Sequence, residues 1–222
     1  MKLMRFFFYH FYHAFAWTYD LVSWVVSVGR WRDWLLTALP YINGPRVLEL
    51  GHGPGHLQAA LRQRGVAVLG LDESRQMGRM ASGRLSRLGL PMALTRGHAQ
   101  FLPFGADCFD SVASTFPTEY IFDGRALDEI YRVLRPGGKL VVVPMAWIVG
   151  KSIADRAAVW LFRVTRQSGD LTEAVKERIQ LPFADAGFRV RIEMVQKRLS
   201  TVLVIVAEKP VERESPSQTF SE

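Results

Sequence analysis

The sequence is poor in cysteine, with Cys108 the single one among 222 residues. One cysteine cannot form an intrachain disulfide, which suits a reducing compartment, so we expect a cytoplasmic protein. Cys108 lies beside Asp107 and Asp110, just before a predicted strand, and has no metal-ligand neighbours. We therefore interpret it as an ordinary packed thiol and expect no metal site.

Acidic residues are also in the minority, because 21 Asp and Glu face 28 Lys and Arg, for a net charge of +7. Such a surplus favours anionic partners, either nucleic acid or the cytoplasmic face of a membrane. The arginines are scattered along the chain, so the charge does not decide between the two. Hydrophobic residues make up 49% of a chain long enough for one core, which excludes wholesale disorder.

A long aliphatic run is absent. The nearly uncharged segment Phe6–Val28 is aromatic and is interrupted by His10, His13 and Asp20. A spanning helix needs ~20 mainly aliphatic residues, and a signal peptide would have to hold both histidines in its apolar core. We favour an aromatic helical lid over residues 1–40, because rings with polar tips suit an interface or an apolar pocket. Helices that only pack on the core are the alternative.

Residues 47–57, VLELGHGPGHL, combine an apolar run, an acid, a glycine at every second position and a predicted helix start. Glycine permits the positive φ of a tight turn, and main-chain N–H groups at a helix start can face a ligand. The dinucleotide fingerprint needs a glycine at position 56, where the chain has His56. The alternative is a glycine-rich turn that binds nothing.

A second acid, Asp72, ends the apolar run Val66–Leu71 about twenty residues beyond the glycine turn. At that place a carboxylate can accept hydrogen bonds from both hydroxyls of a ribose. The alternative role is that of N-cap for the helix that follows.

Together with Gln100-Phe101-Leu102-Pro103-Phe104 and Arg135-Pro136-Gly137-Gly138, these motifs resemble the class I, seven-stranded S-adenosylmethionine-dependent methyltransferases. The resemblance implies an α/β fold. We expect a three-layer sandwich with a mostly parallel seven-stranded sheet that ends in an antiparallel hairpin of Arg189–Gln196 and Ser200–Glu208. It assigns residues 41–209 to the methyltransferase domain and leaves 210–222 as a disordered tail.

The resemblance also implies S-adenosylmethionine as the cofactor. Glu49 would orient its methionine amino group, Asp72 would bind the ribose, and Met77 would lie against the adenine. Where the family commonly has an acid, this chain has His98, which could accept through a neutral ring nitrogen or leave the adenine to the backbone of Ala99 and to water. The predicted cofactor-binding residues are Glu49, Gly51, His52, Gly53, Gly55, Asp72, Glu73, Met77, His98, Ala99, Gln100 and Thr115.

Tyr19–Trp24 and Gly29–Trp34 are similar to the N-terminal segment of quinone-biosynthesis C-methyltransferases, in which it closes the cofactor site and shapes the substrate pocket. With Phe116 and Tyr120 after the fourth strand, Tyr19 completes the predicted substrate-binding set. We expect a small lipophilic acceptor, either a quinone-like ring or a phospholipid head group, together with an anionic membrane surface.

Nucleic acid is less favoured, because Ser114-Thr115-Phe116-Pro117 differs from the Asn/Asp-Pro-Pro-Phe/Tyr motif of enzymes that methylate base amines. The thiol of Cys108 is also wrongly placed for attack on a pyrimidine. A soluble small molecule or RNA as acceptor, and a non-catalytic binding protein, stay as alternatives. The sequence does not indicate an oligomeric state, and no general base stands out among the chemically suitable His10, His13, Tyr19, Glu119 and Tyr120.

The remaining periodicity predicts a third strand over Pro91–Thr95, a fifth over Lys139–Val143, and a helix over Thr172–Phe183 that Pro182 interrupts. A basic amphipathic helix is predicted within residues 144–169, where it could rest on anionic lipid or form an ordinary surface helix.

Overall fold

The computed structural model describes Ser27 and residues 29–148 and 173–211. Three predicted features lie outside the described residues: the aromatic segment with Tyr19, the basic amphipathic helix, and the polar tail from 212 onward. The predicted base candidates His10 and His13 belong to the first of these.

Helices and strands alternate through most of the described chain. Helix α1 (Trp31–Leu35) continues into a 3₁₀ helix, Leu36–Tyr41, and a second 3₁₀ helix, Glu119–Phe122, precedes α4. The other elements, in chain order, are β1 (Arg46–Leu50), α2 (His56–Arg62), β2 (Ala67–Asp72), α3 (Arg75–Arg87), β3 (Leu94–Arg96), β4 (Phe109–Thr115), α4 (Gly124–Val133), β5 (Leu134–Ile148), α5 (Glu173–Asp185), β6 (Arg189–Lys197) and β7 (Ser200–Glu208).

The seven strands form one sheet in the order β3-β2-β1-β4-β5-β7-β6. The first five are parallel, and β7 runs antiparallel to both β5 and β6. The predicted fold is therefore confirmed. Chain order reverses direction between β1 and β4, and open sheets of this kind bind ligands at the carboxyl ends of the strands beside such a point.

Both faces of the sheet are covered, which explains why its strands are apolar at successive positions. Leu48 and Leu50 of β1 face one layer, where they belong to the same cluster as Leu127 of α4. Val47, one residue before Leu48, faces the opposite layer and packs with Leu57 of α2. The alternation follows from the two-residue period of a strand, and it places Glu49 on the α2 side.

The N-terminal helical region packs directly on the sheet. The Trp34 side chain is 2% exposed, and its Nε1 donates to Ser200 Oγ at 2.9 Å. The main-chain N–H of Trp31 donates to Ser27 Oγ at 2.9 Å, which satisfies one of the free N–H groups at the start of α1. Residues 31–38 of the predicted lid therefore contribute to the core, and a lid role for the earlier residues stays a prediction.

The predicted bounds of two strands are wrong. Strand β3 is only Leu94–Arg96, because a sheet edge offers it one neighbour, and Pro91 has no N–H to donate to a ladder. Strand β5 extends beyond Val143 to Ile148, because β7 pairs with it as far as Ser200 opposite Ile148. This extension depends on a partner strand sixty residues later, which local periodicity does not reveal.

The predicted interruption at Pro182 is also wrong, because α5 continues through it to Asp185. Phe183 is fully buried in the main core cluster and packs edge-on against Phe122, with 5.8 Å between ring centroids. This burial holds the last turn in helical geometry despite the N–H that proline lacks.

The predicted helix-to-strand turn at Gly137 and Gly138 is wrong, because β5 begins at Leu134, directly after α4, and not at Lys139. Gly137 has φ +76° and its N–H is bonded to Lys209 O at 2.7 Å, and it lies in an irregular stretch of β5 where the register with β4 shifts between Phe109 and Ser111.

Candidate functional site

The turn between β1 and α2 has a backbone that only glycine adopts readily. Gly51, Gly53 and Gly55 have φ values of +64°, +51° and +82°. A Cβ atom on Gly51 would lie 2.8 Å from the Tyr120 hydroxyl oxygen, whereas one on Gly53 would meet no atom of the described residues within 4 Å. The turn is therefore closed on its Tyr120 side and open at Gly53, where a ligand could approach the main chain.

Asp72, at the end of β2, fixes this turn. Its Oδ2 accepts from the N–H of Gly53 at 2.9 Å, and its Oδ1 accepts from the N–H of Ser74 at 2.8 Å. The N-cap of α3 is Ser74, whose Oγ accepts from Met77 N at 3.3 Å, so the alternative N-cap role for Asp72 is wrong. Each carboxylate oxygen has two lone pairs, so Asp72 can still accept from a ribose.

Glu49 is the most unusual group of the site, because it is a carboxyl only 1% exposed. Its Oε2 has no hydrogen-bond partner among the described residues. Burial raises the pKa of Glu49 to about 8, with opposition from Gln58 and a further rise from the charge of Asp72. An unpartnered buried carboxylate is costly until a cation pairs with it, so this position fits a ligand's ammonium group.

The His52 side chain stabilises the turn through a hydrogen bond to its main chain. Its ring is buried, and Nδ1 donates to Gly53 O at 2.7 Å, so the other ring nitrogen carries no proton in the neutral form. The ring lies close to Gly70 of β2, where an added Cβ atom would be 2.9 Å from His52 Cδ2. Any cofactor contact of His52 would therefore use its main chain.

Glu73 and His98 meet at the outer end of the site. Glu73 Oε2 lies 3.2 Å from His98 Nδ1, and both side chains are about two-thirds exposed, at 64% and 65%. The loops after β2 and β3 thus approach each other where the adenine is predicted. The family's acid is missing at position 98, but Glu73 provides a carboxylate beside it.

Three further predicted cofactor residues surround this end. Met77 and Ala99 are both buried, at 6% and 7% exposure. The Gln100 side chain donates to Asp123 Oδ2 at 3.0 Å, so it braces the start of α4. Thr115 is half-buried at the end of β4, beside Val143 of β5.

The Tyr120 hydroxyl is hydrogen-bonded to neighbouring strands. It lies 2.7 Å from Ser114 Oγ and 3.1 Å from Leu50 O, at the carboxyl ends of β4 and β1. Burial raises its pKa above the usual range, and the charges of Asp72 and Glu49 add to the rise. These contacts and this pKa count against Tyr120 as a general base, whereas its place among the substrate-binding residues stays a prediction.

An aromatic cluster of Trp31, Trp34 and Phe116 lies where β4 ends. Trp31 stacks on Phe116 with ring centroids 4.1 Å apart, and Trp34 lies 6.3 Å from the same ring. Phe116 has φ +50°, rare for a bulky residue, and its N–H donates to Val143 O at 2.7 Å. Strained backbone of this kind collects at functional sites.

The sequence reasoning missed several residues that shape the site. Arg84 Nε donates to Pro54 O at 2.8 Å and so ties α3 to the glycine turn. Gln58 is fully buried, and Gly70 lies within β2. Both residues could have been found from the sequence. A glycine inside a strand often marks a place where another group packs close to the main chain. A polar residue between apolar neighbours on a helix is expected to have a hydrogen-bonding role.

Neither a bilayer-spanning helix nor a metal-binding cluster occurs among the described residues. Over residues 29–148 and 173–211 no helix combines the length and apolarity needed to cross a bilayer. Within the same ranges no group of three or more His, Cys, Asp or Glu side chains could hold a metal ion.

The comparisons with known proteins agree with this geometry. Residues 48–142 match the family described as a methyltransferase domain. A demethylmenaquinone methyltransferase of Thermus thermophilus is 32% identical over 203 residues, which cover 80% of this chain and 90% of that protein. A ubiquinone/menaquinone biosynthesis C-methyltransferase of Blochmanniella floridana is 30% identical over 170 residues, or 72% of this chain and 66% of that protein.

Among solved structures, phosphoethanolamine N-methyltransferase 2 of Haemonchus contortus, in complex with S-adenosylmethionine, has a TM-score of 0.58 at 19% identity. The match covers 82% of this chain and 53% of that one, and it shows a shared fold. The orphaned carboxyl of Glu49 and the open main chain at Gly53 fit the same cofactor. The chain belongs to the class I S-adenosylmethionine-dependent methyltransferases, and it is an enzyme that takes S-adenosylmethionine as its cofactor.

Proposed function

We propose that this methyltransferase acts on a carbon of a quinone-like ring, in its reduced form with free ring hydroxyls. The observation that carries the proposal is the similarity to two quinone-biosynthesis C-methyltransferases, one of them aligned over 90% of its length. The phospholipid head group, the other acceptor class expected from the sequence, has no comparable support.

The aromatic cluster supports the same acceptor. Phe116 follows directly on Thr115, the last residue of β4, and strands of such sheets end at the ligand crevice. A planar ring pairs favourably with aromatic side chains at centroid distances of roughly 4.5–7 Å. We propose that Phe116, stacked on Trp31, forms one wall of the acceptor site.

The chain's own residues would hold the cofactor at its two ends. Glu49 would bind the amino group of the methionine part, and Asp72 would bind the ribose while it keeps the N–H of Gly53 in place. When bound, S-adenosylmethionine supplies an electrophilic methyl group on a sulfonium whose leaving group is neutral. The protein contributes alignment of the acceptor carbon with that methyl and exclusion of water.

Transfer to a ring carbon would form a carbon–methyl bond and break the methyl–sulfur bond. Loss of the proton from a ring hydroxyl makes the carbon nucleophilic, and the hydrogen on that carbon then leaves as a proton while the oxygen regains one, so that one proton is released in all. Among the described residues, Glu119 is an exposed carboxylate at the start of the 3₁₀ helix after β4. We propose it as the base in preference to Tyr120, whose hydroxyl already bonds to Leu50 and Ser114.

A prenylated ring acceptor resides in a membrane, so the enzyme would have to reach it from the bilayer surface. We propose peripheral association of a cytoplasmic enzyme with anionic lipid, consistent with the +7 net charge. Binding of the full chain to anionic vesicles should weaken as salt is raised.

The proposal is tested by the quinone profile of cells that lack this chain. We expect mass spectrometry to show a quinone that has lost one methyl group. The wild-type gene should restore the normal profile and an Asp72→Ala gene should not. Unchanged quinones, with a methyl group missing from phospholipid, RNA or a soluble metabolite, would replace the proposed acceptor by that class.

A further inference from the structure

Gln58 is a buried polar side chain that the described fold does not use. It is 0% exposed on α2, and neither its Oε1 nor its Nε2 has a hydrogen-bond partner among residues 29–148 and 173–211. An unsatisfied buried amide costs about 1–3 kcal/mol, and an apolar residue of the same size avoids that cost. Stability therefore does not explain a glutamine here.

The space around Gln58 has been opened by a glycine. Gly70 of β2 lies directly beside Glu49 of β1 in the parallel register. A Cβ atom on Gly70 would lie 2.9 Å from Gln58 Nε2 and 2.9 Å from His52 Cδ2. Any larger residue would push Gln58 and His52 away, so the missing side chain creates the room that they occupy.

Glu49 borders the same space. It projects from the α2 side of β1 between Gly70 and Ala113, the two residues paired with it on the neighbouring strands. Gln58, on α2, opposes the rise that burial causes in the pKa of this carboxyl. Neither polar atom of the Gln58 side chain reaches hydrogen-bond geometry with a described residue. A carboxyl with an unpartnered oxygen thus faces an amide with an unpartnered donor.

We propose that Gln58 is a positioning residue that donates its amide N–H to Glu49 and so aims the carboxylate at the ammonium group of S-adenosylmethionine. The inference rests on the proposed role of Glu49. A small movement of either side chain brings the donor and acceptor together once the carboxyl is ionised. The cost of the unsatisfied amide is then recovered whenever Glu49 is ionised, and the positive charge of the cofactor favours that form. Without Gln58 the carboxyl of the cofactor-free enzyme should hold its proton more firmly.

The test compares Gln58→Leu with the wild-type full chain. We expect Gln58→Leu to unfold at an equal or higher urea concentration without cofactor, yet to bind S-adenosylmethionine about tenfold more weakly at neutral pH. Gln58→Met, which fills the site with a flexible chain, should behave alike. The matched control is Gln63→Leu, at an exposed glutamine just after the same helix, and it should leave the affinity unchanged.

Proton release distinguishes positioning from packing. Near pH 8, wild-type Glu49 is about half ionised without cofactor. Calorimetry in buffers of different ionisation enthalpy should show more protons released on binding to Gln58→Leu than to the wild type. Equal proton release, or an unchanged affinity in both Gln58 variants, would overturn the inference.

A Glu49→Gln variant separates the two claims. If Glu49→Gln weakens binding and the Gln58 variants do not, only the inference about Gln58 fails. If Glu49→Gln leaves the affinity and the proton release unchanged, the proposed role of Glu49 fails as well.

Discussion

The main-chain N–H of Gly53 donates to Asp72 Oδ2 across 2.9 Å and ties the turn after β1 to the end of β2. Nineteen residues separate the two in sequence. The bond therefore closes the edge of the cofactor site by means of the residue expected to bind the ribose. Asp72 thus has a structural role in addition to the binding role proposed for it.

Replacement of Asp72 by asparagine should disturb both roles. Asparagine offers one oxygen and one NH₂ group where two main-chain N–H groups donate, so one of those N–H groups would face another donor. We expect the free energy of unfolding to fall by about 1–3 kcal/mol and the affinity for S-adenosylmethionine to fall at least tenfold. Urea unfolding and calorimetry measure the two effects. Asp128→Asn, at an exposed acid of α4, is the control, and an equal effect of both variants would contradict the assignment.

The pKa of Glu49 predicts how the stability of the cofactor-free enzyme changes with pH. The native pKa, about 8, lies above the ordinary value of 4.5, so the native state holds more protons than the unfolded state between these values. The contribution of Glu49 to the free energy of unfolding should therefore fall as pH rises through this window, by at most about 1.4 kcal/mol per pH unit.

Urea titrations of the wild type and Glu49→Gln across that window test this prediction. The difference between the two free energies of unfolding isolates Glu49 from the other titrating groups. In the variant, the fall in the free energy of unfolding that Glu49 causes should be absent. The free energy of unfolding of the variant should therefore rise relative to that of the wild type as pH approaches 8. Two parallel curves would show that the carboxyl is ionised in the native state throughout.

Tyr120→Phe removes the hydroxyl that bonds to Ser114 and Leu50 O. We expect a loss of about 1 kcal/mol in the free energy of unfolding, because Leu50 O and Ser114 Oγ lose a partner. The pH profile of kcat should keep its shape, since the hydroxyl is already engaged by the fold. A missing limb in that profile would identify Tyr120 as the base, and Glu119→Gln is the variant in which we expect the limb to disappear.

The stacked pair of Trp31 and Phe116 predicts an effect confined to the acceptor. Trp31→Leu and Phe116→Leu should each raise KM for the ring acceptor by about three- to tenfold, as expected for the loss of an aromatic contact. Their Kd for S-adenosylmethionine should match the wild type. Phe101→Leu, at a phenylalanine 71% exposed, is the control and should change neither value.

The sequence predicted the parts of the fold and site that depend on local conformation. The tight turn after β1 appears in the sequence as the glycines Gly51, Gly53 and Gly55, and the carboxyl ends of β1 and β2 are marked by the acids Glu49 and Asp72. The order of these motifs was enough to predict a mostly parallel seven-stranded sheet, because the connections between parallel strands follow restrictive rules.

The remaining features depend on tertiary contacts. Helix α5 passes Pro182 because Phe183 is buried by distant residues, and β5 reaches Ile148 because β7 pairs with it. The contact of Glu73 with His98 depends on how two loops approach, and the direction of Gln100 depends on where α4 begins. The local sequence of these segments does not predict such contacts.

The most direct test of the proposed activity follows a labelled methyl group. The full chain is incubated with S-adenosylmethionine carrying a trideuteromethyl group and with vesicles that contain a prenylated quinol lacking its ring methyl. Mass spectrometry should find the label on the ring carbon, with no transfer in the Asp72→Ala variant. Label on a phospholipid head group, or bound S-adenosylmethionine with no transfer to the ring, would contradict the account.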